Sequence, residues 1–302
     1  MSSKAGTITV FTPTYNREHT LDGCYQSLVN QTDKDFIWLL IDDGSSDNTK
    51  DLVNRWVDEK KIRIDYHYKE NGGLHSAYNH AYEKCTTNLI MCLDSDDDLG
   101  KSAVEKVRKL WDSNDTSGCA GIIANETYRE SGEVIGTRFP EGLVKSTFFD
   151  VYYTHKILGD KMLVYQKEYI DKYPAPVFPG EKLFPPSNRY LNVEEPLLIL
   201  NDDDLYYKEY LDDGYTRNIL STYAKNPNSY SIAYLERLRI FEKKKAPLKV
   251  RLKCATHYIA CSMLVGKKGI LKDANFVPTA LASYLPGVVW FSYLNWYRKK
   301  NL

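Results

Sequence analysis

The chain has 302 residues, of which 43% are hydrophobic and 26% charged, a length that fits one large domain with an appendage or two domains. A mean hydropathy of -0.47 excludes a polytopic membrane protein, and the hydrophobic share excludes a mainly disordered chain. Forty basic and forty acidic side chains cancel, which argues against a nucleic-acid-binding protein of net positive charge.

The charge is unevenly distributed along the chain. Residues 243–302 contain twelve Lys or Arg residues against one acid, Asp273, so this segment carries +11 and the rest of the chain −11. An acidic body with a basic, aromatic end indicates a catalytic domain with an anionic contact at its end; the alternative is a basic surface packed on an acidic one. We therefore predict a domain at 1–240 and a helical segment at 241–302.

The six cysteines form no CxxC pair, and several lie in apolar runs, as Cys92 does. This pattern indicates buried free thiols in a reducing compartment. The first residues, MSSKAGTITVF, contain no long apolar stretch of the kind that signal peptides carry. We therefore expect a cytoplasmic protein.

Short apolar runs alternate with segments of helical periodicity over the first 130 residues. In chain order, the pattern predicts a strand at 7–12, a helix at 18–30, a strand at 36–41, a helix at 48–57, a strand at 62–68, a helix at 74–85 and a strand at 88–93. Strands separated by such helices form βαβ units, so we expect an α/β fold with a mostly parallel central sheet flanked by helices. Later apolar runs predict further strands at 118–128, within 157–180, at 197–200 and at 206–210.

Polar residues follow the first, second and fourth predicted strands, at the sheet edge where ligands bind in open α/β folds. After the first strand, Tyr15 offers a flat face for stacking a base, and Thr12 offers a hydroxyl. After the second, Asp43 could accept the imide N–H of uracil, although a turn and helix cap would explain the same residues. Before the third helix, Gly72 and Gly73 would let the backbone approach a ligand closely.

The run Asp94-Ser95-Asp96-Asp97-Asp98, directly after the fourth strand, is the sharpest signal. Carboxylates crowded at a strand end repel each other unless a cation neutralises them. Hard oxygen ligands suit Mg²⁺ or Mn²⁺, which bridge a few carboxylates and substrate phosphates. The alternative is that these acids cap the next helix. Together, the four segments predict a pocket for a nucleotide diphosphate.

Four motifs resemble the successive signatures of glycosyltransferase family 2: TPTYN at 12–16, IDDGSSD at 41–47, NGGLHSAYN at 71–79 and LDSDD at 93–97. The resemblance is strong over residues 7–110. It implies a GT-A (Rossmann-like) fold, a UDP-sugar donor, Mn²⁺ or Mg²⁺, and inversion at the anomeric carbon. By position, it implies a uracil contact from Asp43, base contacts from Thr12, Pro13 and Tyr15, a ribose contact from Asp94, metal ligation by Asp94 and Asp96, and donor contacts from Asn71, Gly73 and Ser95.

The second half resembles, more loosely, bacterial enzymes that extend capsular or exopolysaccharide repeat units, through GDK at 159–161, GEK at 180–182 and EYLDDG at 209–214. It departs from them at Leu74, where a basic residue is common, and at Pro186, where an acid is expected. No Gln-x-x-Arg-Trp motif follows residue 200, which argues against a processive synthase of the cellulose or hyaluronan type. We expect residues 1–115 to bind the nucleotide sugar and 116–240 the acceptor.

An inverting transfer needs a general base that removes the proton of the acceptor hydroxyl. Glu181 in GEK is the first candidate and Asp160 in GDK the second, and each could instead pair with its neighbouring lysine. Arg217 could supply a cation to the diphosphate or to an anionic acceptor, and the alternative is an ordinary surface arginine.

Residues 274–297 contain no charged side chain, and a basic run at 298–300 follows them. Pro278 and Pro286 interrupt the stretch, which favours an anchor at an anionic membrane interface over a membrane span. The alternative is a pair of helices packed on the catalytic domain. An anchor would serve a saccharide acceptor linked to polyprenyl diphosphate, on the inner face of the cell membrane.

The sequence therefore predicts an inverting hexosyl- or N-acetylhexosaminyltransferase that builds bacterial surface polysaccharide, as a monomer or a homo-oligomer. A nucleotidyltransferase is one alternative, although TPTYNREH lacks the glycine series of its phosphate loop. A non-catalytic sugar- or nucleotide-binding scaffold is another, although the intact Asp94 and Asp96 argue against it.

Overall fold

A computed structural model describes residues 6–209 and 218–302. They form two units, one made of residues 6–72, 76–174 and 193–209 and the other of 73–75, 175–192 and 218–302. Residue 240, where the change in charge predicted a boundary, lies inside a helix of the second unit. The two compact units do not coincide with the predicted division at residue 240, because the sign of a surface charge does not report which segments pack together.

The strands are β1 (Ile8–Thr14), β2 (Phe36–Asp42), β3 (Ile64–Tyr68), β4 (Leu89–Cys92), β5 (Asp98–Leu99), β6 (Gly121–Asn125), β7 (Thr127–Tyr128), β8 (Lys145–Ser146), β9 (Lys161–Gln166), β10 (Leu197–Leu200) and β11 (Tyr206–Lys208). The helices are α1 (Leu21–Val29), α2 (Thr49–Glu59), α3 (Leu74–Lys84), α4 (Ala103–Ser113), α5 (Phe148–Tyr153), α6 (Lys167–Ile170), α7 (Ser187–Asn192), α8 (Ile219–Lys225), α9 (Pro227–Lys243), α10 (Leu248–Leu264), α11 (Ile270–Asp273), α12 (Pro278–Ala282) and α13 (Tyr284–Asn301).

The first unit is built on one large sheet with the strand order β3-β2-β1-β4-β9-β6-β10-β8. Pairing is parallel between β1 and β2, β1 and β4, β2 and β3, and β6 and β10. β9 runs antiparallel between β4 and β6, and β8 runs antiparallel along β10. The predicted mixed α/β architecture with a mostly parallel sheet is confirmed. The antiparallel β9 is the part that alternation of strands and helices did not predict.

Both faces of β1 and β2 are buried, which explains why their sequences are nearly continuous apolar runs. The helix α1 lies against the sheet and buries Leu21, Tyr25 and Leu28, the residues that the helical spacing had placed on one face. The Tyr25 ring stacks on Trp56 with 4.3 Å between ring centroids. These side chains belong to one hydrophobic core with residues of β1 and β2.

The second unit is helical, as predicted for the end of the chain. α9, α10 and α13 pack together, and the close approach of α10 and α13 depends on Gly287. A Cβ atom at that position would lie 2.6 Å from Cγ2 of Ile259. Among the described residues, no helix combines the length and apolar character needed to cross a bilayer.

Candidate active site

The order of the strands reverses at β1, because β2 and β3 lie on one side of it and β4 on the other. In open α/β sheets, the carboxyl ends of the strands beside such a reversal form a crevice where ligands bind. Here those ends lead into residues 15–16 after β1 and residues 93–98 after β4. The predicted base-binding and acidic motifs therefore belong to one edge of the same sheet.

The acid loop at residues 94–98 is held in place by side chains from other strands. The Tyr206 hydroxyl accepts the main-chain N–H of Asp94 at 3.1 Å and donates to the Asp97 carboxylate at 2.8 Å. The Arg129 guanidinium lies 2.9 Å from the Asp98 carboxylate and donates to the main-chain carbonyl of Asp96 at 2.7 Å. The loop is thus fixed through both its backbone and its side chains.

A single ammonium group lies among four carboxylates of this unit. Lys208 Nζ is 3.3 Å from Asp94 and 3.4 Å from Asp97, and it is 4.0 Å from both Glu126 and Asp160. Lys208 is largely buried, and the surrounding negative charges raise its pKa against the effect of burial. The lysine therefore stays charged and offsets part of the repulsion among the acids.

The buried acids around Lys208 titrate at unusually high pH. Burial raises the pKa of Asp97 to about 7, with the lysine acting in the opposite direction. Burial likewise raises the pKa of Glu126 to about 8. For Asp96, burial and then the negative charge of Asp94 raise the pKa. A cation bound beside Asp94 would oppose the effect of the Asp94 charge on the pKa of Asp96.

Among the described residues, no three Asp, Glu, His or Cys side chains converge into a closed metal site. Magnesium-type ions are commonly held by one or two carboxylates together with water and substrate phosphates. Asp94 and Asp96 are both partly exposed, and they are close enough for one charge to shift the pKa of the other. This pair of hard oxygen donors fits such an ion.

The Asp43 carboxylate at the end of β2 is held rigidly. One of its oxygens accepts from Lys69 Nζ at 2.5 Å and from the main-chain N–H of Gly72 at 3.0 Å. Its own main-chain carbonyl accepts the amide N–H of Asn71 at 2.8 Å. Asp43 and Asn71, two of the predicted donor contacts, are therefore brought together by direct hydrogen bonds.

The side chains after β1 divide between the core and the surface. The Thr12 side chain is buried, and its hydroxyl accepts the indole N–H of Trp38 at 2.9 Å. The hydroxyl is thus engaged within the core, and its predicted contact with a base stays a prediction. Pro13 is also buried, whereas Tyr15 is half exposed and offers the ring face that the sequence predicted.

Two other predicted donor contacts have different surroundings from those expected. Gly73 has φ +88°, and a Cβ atom there would lie 2.2 Å from the main-chain oxygen of Lys182. The close approach that this glycine permits is therefore to the protein's own backbone in the second unit. Ser95 is buried within the acid loop.

The two candidate bases lie in different units. Asp160 belongs to the first unit, has a half-exposed side chain and lies 4.0 Å from Lys208. The neighbouring Lys161 does not pair with its carboxylate, but donates to main-chain carbonyls at 135, 158 and 160.

Glu181 belongs to the second unit and is buried. Its two carboxylate oxygens accept the main-chain N–H groups of Asn228 and Ser229, each at 2.7 Å, and the Asn228 amide at 2.9 Å. These N–H groups belong to the first turn of α9, where helices leave donors unsatisfied. Glu181 therefore caps a helix, the contact expected of a carboxylate with a structural role.

Sequence reasoning missed Lys208, Tyr206, Arg129 and Glu126. Lys208 and Asp94 are 114 residues apart, so no local pattern links them. The sequence feature that could have pointed to Lys208 and Tyr206 is the short run YYK at 206–208, which follows the acidic residues at 202–204. The predicted cation Arg217 and most of the EYLDDG motif lie outside the described residues.

A model of one known family, Glycosyl transferase family 2, matches residues 9–173. Among curated proteins, the chondroitin synthase of Pasteurella multocida (strain Pm70) is 33% identical over 137 residues, which cover 44% of this chain and 14% of that protein. The putative teichuronic acid biosynthesis glycosyltransferase TuaG of Bacillus subtilis (strain 168) is 32% identical over 101 residues, covering 33% of this chain and 39% of TuaG. The chain thus matches only a minor part of these relatives.

Solved structures show the same fold over nearly the whole chain. The crystal structure of S. aureus TarS 1-349 in complex with UDP-GlcNAc is similar with a TM-score of 0.54 at 18% identity, covering 97% of this chain and 92% of TarS. The mannosyltransferase PcManGT from Pyrobaculum calidifontis, in complex with GDP-Man and Mn²⁺, has a TM-score of 0.50 at 16% identity, covering 95% and 84% of the two chains. The fold is that of GT-A glycosyltransferases. Since the family model matches more than half of the sequence, the chain belongs to glycosyltransferase family 2.

Proposed function

We propose that this glycosyltransferase moves a hexose or N-acetylhexosamine from a UDP-sugar to a hydroxyl of a saccharide acceptor, with inversion and with help from Mn²⁺ or Mg²⁺. The observation that carries the proposal is the pair Asp94 and Asp96 at the carboxyl end of β4, beside the reversal in strand order. Like charges in a partly buried loop are unfavourable without a cation. A nucleotide diphosphate with a divalent ion supplies both the cation and the remaining ligands.

The choice of a UDP-sugar depends on Asp43. Its carboxylate is a hydrogen-bond acceptor held in place by Lys69 and Gly72, and the imide N–H of uracil is a matching donor. Tyr15, half exposed after β1, provides a ring on which the base can stack. The TarS structure in complex with UDP-GlcNAc supports the same donor class.

The chemical step that we propose is a displacement at the anomeric carbon, in which the bond to the acceptor oxygen forms as the bond to the diphosphate breaks. The metal ion, when bound, would neutralise charge that develops on the leaving diphosphate. Asp94 and Asp96 would hold that ion. Lys208, adjacent to Asp94, adds positive charge to the same part of the site.

We assign the general base to Asp160 rather than to Glu181. A base must reach the acceptor hydroxyl, and the Asp160 carboxylate is half exposed in the same unit as Asp94 and Asp96. The Glu181 carboxylate already accepts three hydrogen bonds at the start of α9. Its contacts explain its presence without a role in proton transfer.

The acceptor that we propose is a growing bacterial surface polysaccharide on a polyprenyl diphosphate carrier. Matches to a chondroitin synthase and to a putative teichuronic acid biosynthesis enzyme support a saccharide acceptor. A lipid-linked acceptor would place the protein at the inner face of the cell membrane.

An exposed apolar stripe on α12 and α13 supports attachment to that surface. It consists of Leu281, Leu285, Val289, Tyr293 and Trp296, of which Leu285 and Val289 are 76% and 71% exposed. These residues recur every three or four positions, so they lie along one face of the helices. Because residues 243–302 also carry a net charge of +11, we propose an anionic bilayer as the partner of the stripe.

Calorimetry with UDP and Mn²⁺ tests the donor site. Asp96→Ala should abolish the metal-dependent part of UDP binding, while Asp112→Ala, which changes an exposed acid of α4, should bind UDP as the unmodified protein does. Unchanged UDP affinity in Asp96→Ala would overturn the metal assignment. A screen of UDP- and GDP-sugars for metal-dependent hydrolysis then tests the specificity for the nucleobase and for the sugar of the donor.

Sedimentation with vesicles tests the stripe. Replacing Leu285 and Val289 by Glu should release the protein from vesicles containing anionic lipid, and neutral vesicles should not bind the unmodified chain. Equal sedimentation of both proteins would contradict membrane attachment. A concentration-dependent dimer that dissociates in the double variant would instead assign the stripe to a contact between two copies.

A further inference from the structure

The second unit contains an open cavity of about 800 Å³ at the carboxyl ends of α8 and α13. Within residues 6–209 and 218–302, its walls come from three stretches of chain: residues 180–182, residues 221–226 and the last turns of α13. This volume is within the range of about 300–1,000 Å³ typical of small-molecule sites. None of the residues that we assigned to the donor, the metal or the base in the first unit contributes to it.

Four cations of the described chain line this cavity: Lys182, Lys225, Arg298 and Lys299. All four are exposed, and no acidic side chain of the described residues is among the lining groups. Lys225, Arg298 and Lys299 lie in the last turns of helices, where cations are favourable. Lys182 lies in a loop and brings a fourth positive charge to the same concave surface. Like charges gathered around a cavity attract and concentrate anions.

The wall that carries Lys182 is fixed before any ligand binds. The side-chain oxygen of Asn226 accepts the main-chain N–H groups of Lys182 and Leu183 at 2.7 and 3.0 Å. The side-chain amide of the same residue donates to the Thr222 carbonyl at 2.8 Å, which joins the loop to the end of α8. Glu181 ties the other side of the loop to α9. A site held in this way loses little freedom on binding an anion.

We propose that this cavity binds the phosphate or diphosphate group of the acceptor. The inference rests on the proposed function and deepens it, because it assigns a binding site to the phosphate groups of the acceptor. Lysine ammonium groups and the planar guanidinium of Arg298 are the side chains best suited to phosphate oxygens. The cavity volume exceeds the need of one phosphate and accommodates a diphosphate with part of what it carries.

Titration of inorganic pyrophosphate into the full chain, in metal-free buffer with EDTA, tests the cavity directly. The variant Lys225→Gln/Arg298→Gln/Lys299→Gln should bind pyrophosphate at least tenfold more weakly than the unmodified chain. A matched variant, Lys249→Gln/Lys268→Gln/Lys300→Gln, removes three exposed cations of the same unit that do not line the cavity, and should retain the affinity. Equal weakening in both variants would show a diffuse charge effect and overturn the proposal, as would unchanged affinity in the cavity variant.

Two further ligands identify the source of the phosphate. Farnesyl diphosphate in detergent micelles represents a lipid carrier, and oligomers of glycerol phosphate represent a phosphate-bearing polymer. Each ligand is tested for displacement of bound pyrophosphate. A ligand that displaces it at a concentration at least tenfold lower than the concentration of free pyrophosphate needed for the same displacement would be assigned as the source. If neither competes better than pyrophosphate, the cavity is not an acceptor site.

Separate measurement of UDP binding keeps the two proposals distinguishable. The cavity variant should bind UDP with Mn²⁺ as the unmodified protein does, whereas Asp96→Ala should lose that binding and retain pyrophosphate binding. Failure of the Asp96→Ala result alone removes the donor proposal. Failure of the pyrophosphate result alone removes the cavity proposal.

Discussion

Lys208 Nζ lies 3.3 Å from the Asp94 carboxylate, so a cation of the protein itself lies beside the first of the two proposed metal ligands. The same ammonium group is 3.4 Å from the buried Asp97. The chain thus neutralises part of the acid cluster without a metal. A divalent ion at Asp94 and Asp96 would add to this charge, and the two cations would share the Asp94 carboxylate.

Removal of this lysine should therefore destabilise the metal-free protein and increase its response to metal. Lys208→Met leaves buried carboxylates without their counter-charge, which costs about 3–5 kcal/mol in comparable buried pairs. We expect a lower melting temperature without metal and a larger increase on adding Mn²⁺ than in the unmodified chain. Lys208→Arg keeps the charge and serves as the control. Identical melting curves for Lys208→Met and the unmodified chain would contradict this role.

The buried position of Thr12 predicts an effect on stability alone. Thr12→Val keeps the shape of the side chain but leaves the buried indole N–H of Trp38 without its acceptor. Such a loss costs about 1–3 kcal/mol of folding free energy. Urea unfolding should show this decrease, with UDP affinity unchanged and with Thr12→Ser closer to the unmodified chain. Weaker UDP binding at unchanged stability would restore the hydroxyl to the donor site.

Asp160 and Glu181 should respond differently to loss of charge. Asp160→Asn should lower kcat by about 10²–10⁴-fold, the contribution of a general base, while UDP affinity stays the same. Glu181→Gln should weaken the cap of α9 and lower the melting temperature, but the folded protein should keep most of its turnover. The reverse pattern, with turnover lost only in Glu181→Gln, would return the base to Glu181.

Gly73 should tolerate no side chain, in contrast to another glycine of the second unit. Gly73→Ala would place its Cβ 2.2 Å from the Lys182 carbonyl oxygen at φ +88°, and we expect a cost on the order of 3 kcal/mol. Gly180→Ala has a similar φ of +79° but meets nothing within 4 Å, so it should cost only about 1–2 kcal/mol. If denaturant unfolding shows the same loss of folding free energy in both variants, the positive φ alone, and not the close contact, determines the destabilisation.

His257 predicts how stability depends on pH. Its Nδ1 accepts the indole N–H of Trp290 at 3.1 Å, and burial lowers its pKa from 6.5 to about 4, with the charges of Lys253 and Arg237 adding to the shift. Between these values, the unfolded chain binds a proton that the folded chain does not. The stability is therefore complete above pH 6.5 and falls as the pH decreases towards 4, by about 3 kcal/mol at most. Urea unfolding at several pH values should show that the free energy of unfolding falls less steeply between pH 6.5 and 4 for His257→Gln than for the unmodified chain.

The strands at the start of the chain were predictable because local sequence determines them. The run FIWLLI at 36–41 is apolar on both faces, and the structure extends it by one residue to Asp42. Asp43 directly follows this strand, and the topology of the sheet alone places it at the carboxyl ends of the strands, where ligands bind. Where a motif directly follows a buried strand, the sequence therefore predicted its place at the edge of the sheet, but not the distant side chains that surround it, such as Lys208 beside Asp94.

The features of the fold and of the site that the sequence did not predict depend on contacts between distant segments of the chain. Periodicity gives no sign that β9 runs antiparallel between β4 and β6, because strand direction depends on how the chain returns to the sheet. The helix-capping role of Glu181 involves residues 47 and 48 positions away. The sequence identified Thr12 by its place in a motif, but the direction of its side chain follows from packing against Trp38.

The acid loop and the lysine that neutralises it leave the ribosome at different times, because 114 residues separate Asp94 from Lys208. At a synthesis rate of about 5–20 residues per second, the delay is on the order of ten seconds. During this interval the nascent chain carries the acid loop without its internal counter-charge and without β10 and β11. The magnesium ions that accompany translation are an available substitute, so at the proposed metal site such an ion would assist folding of the chain before any reaction takes place.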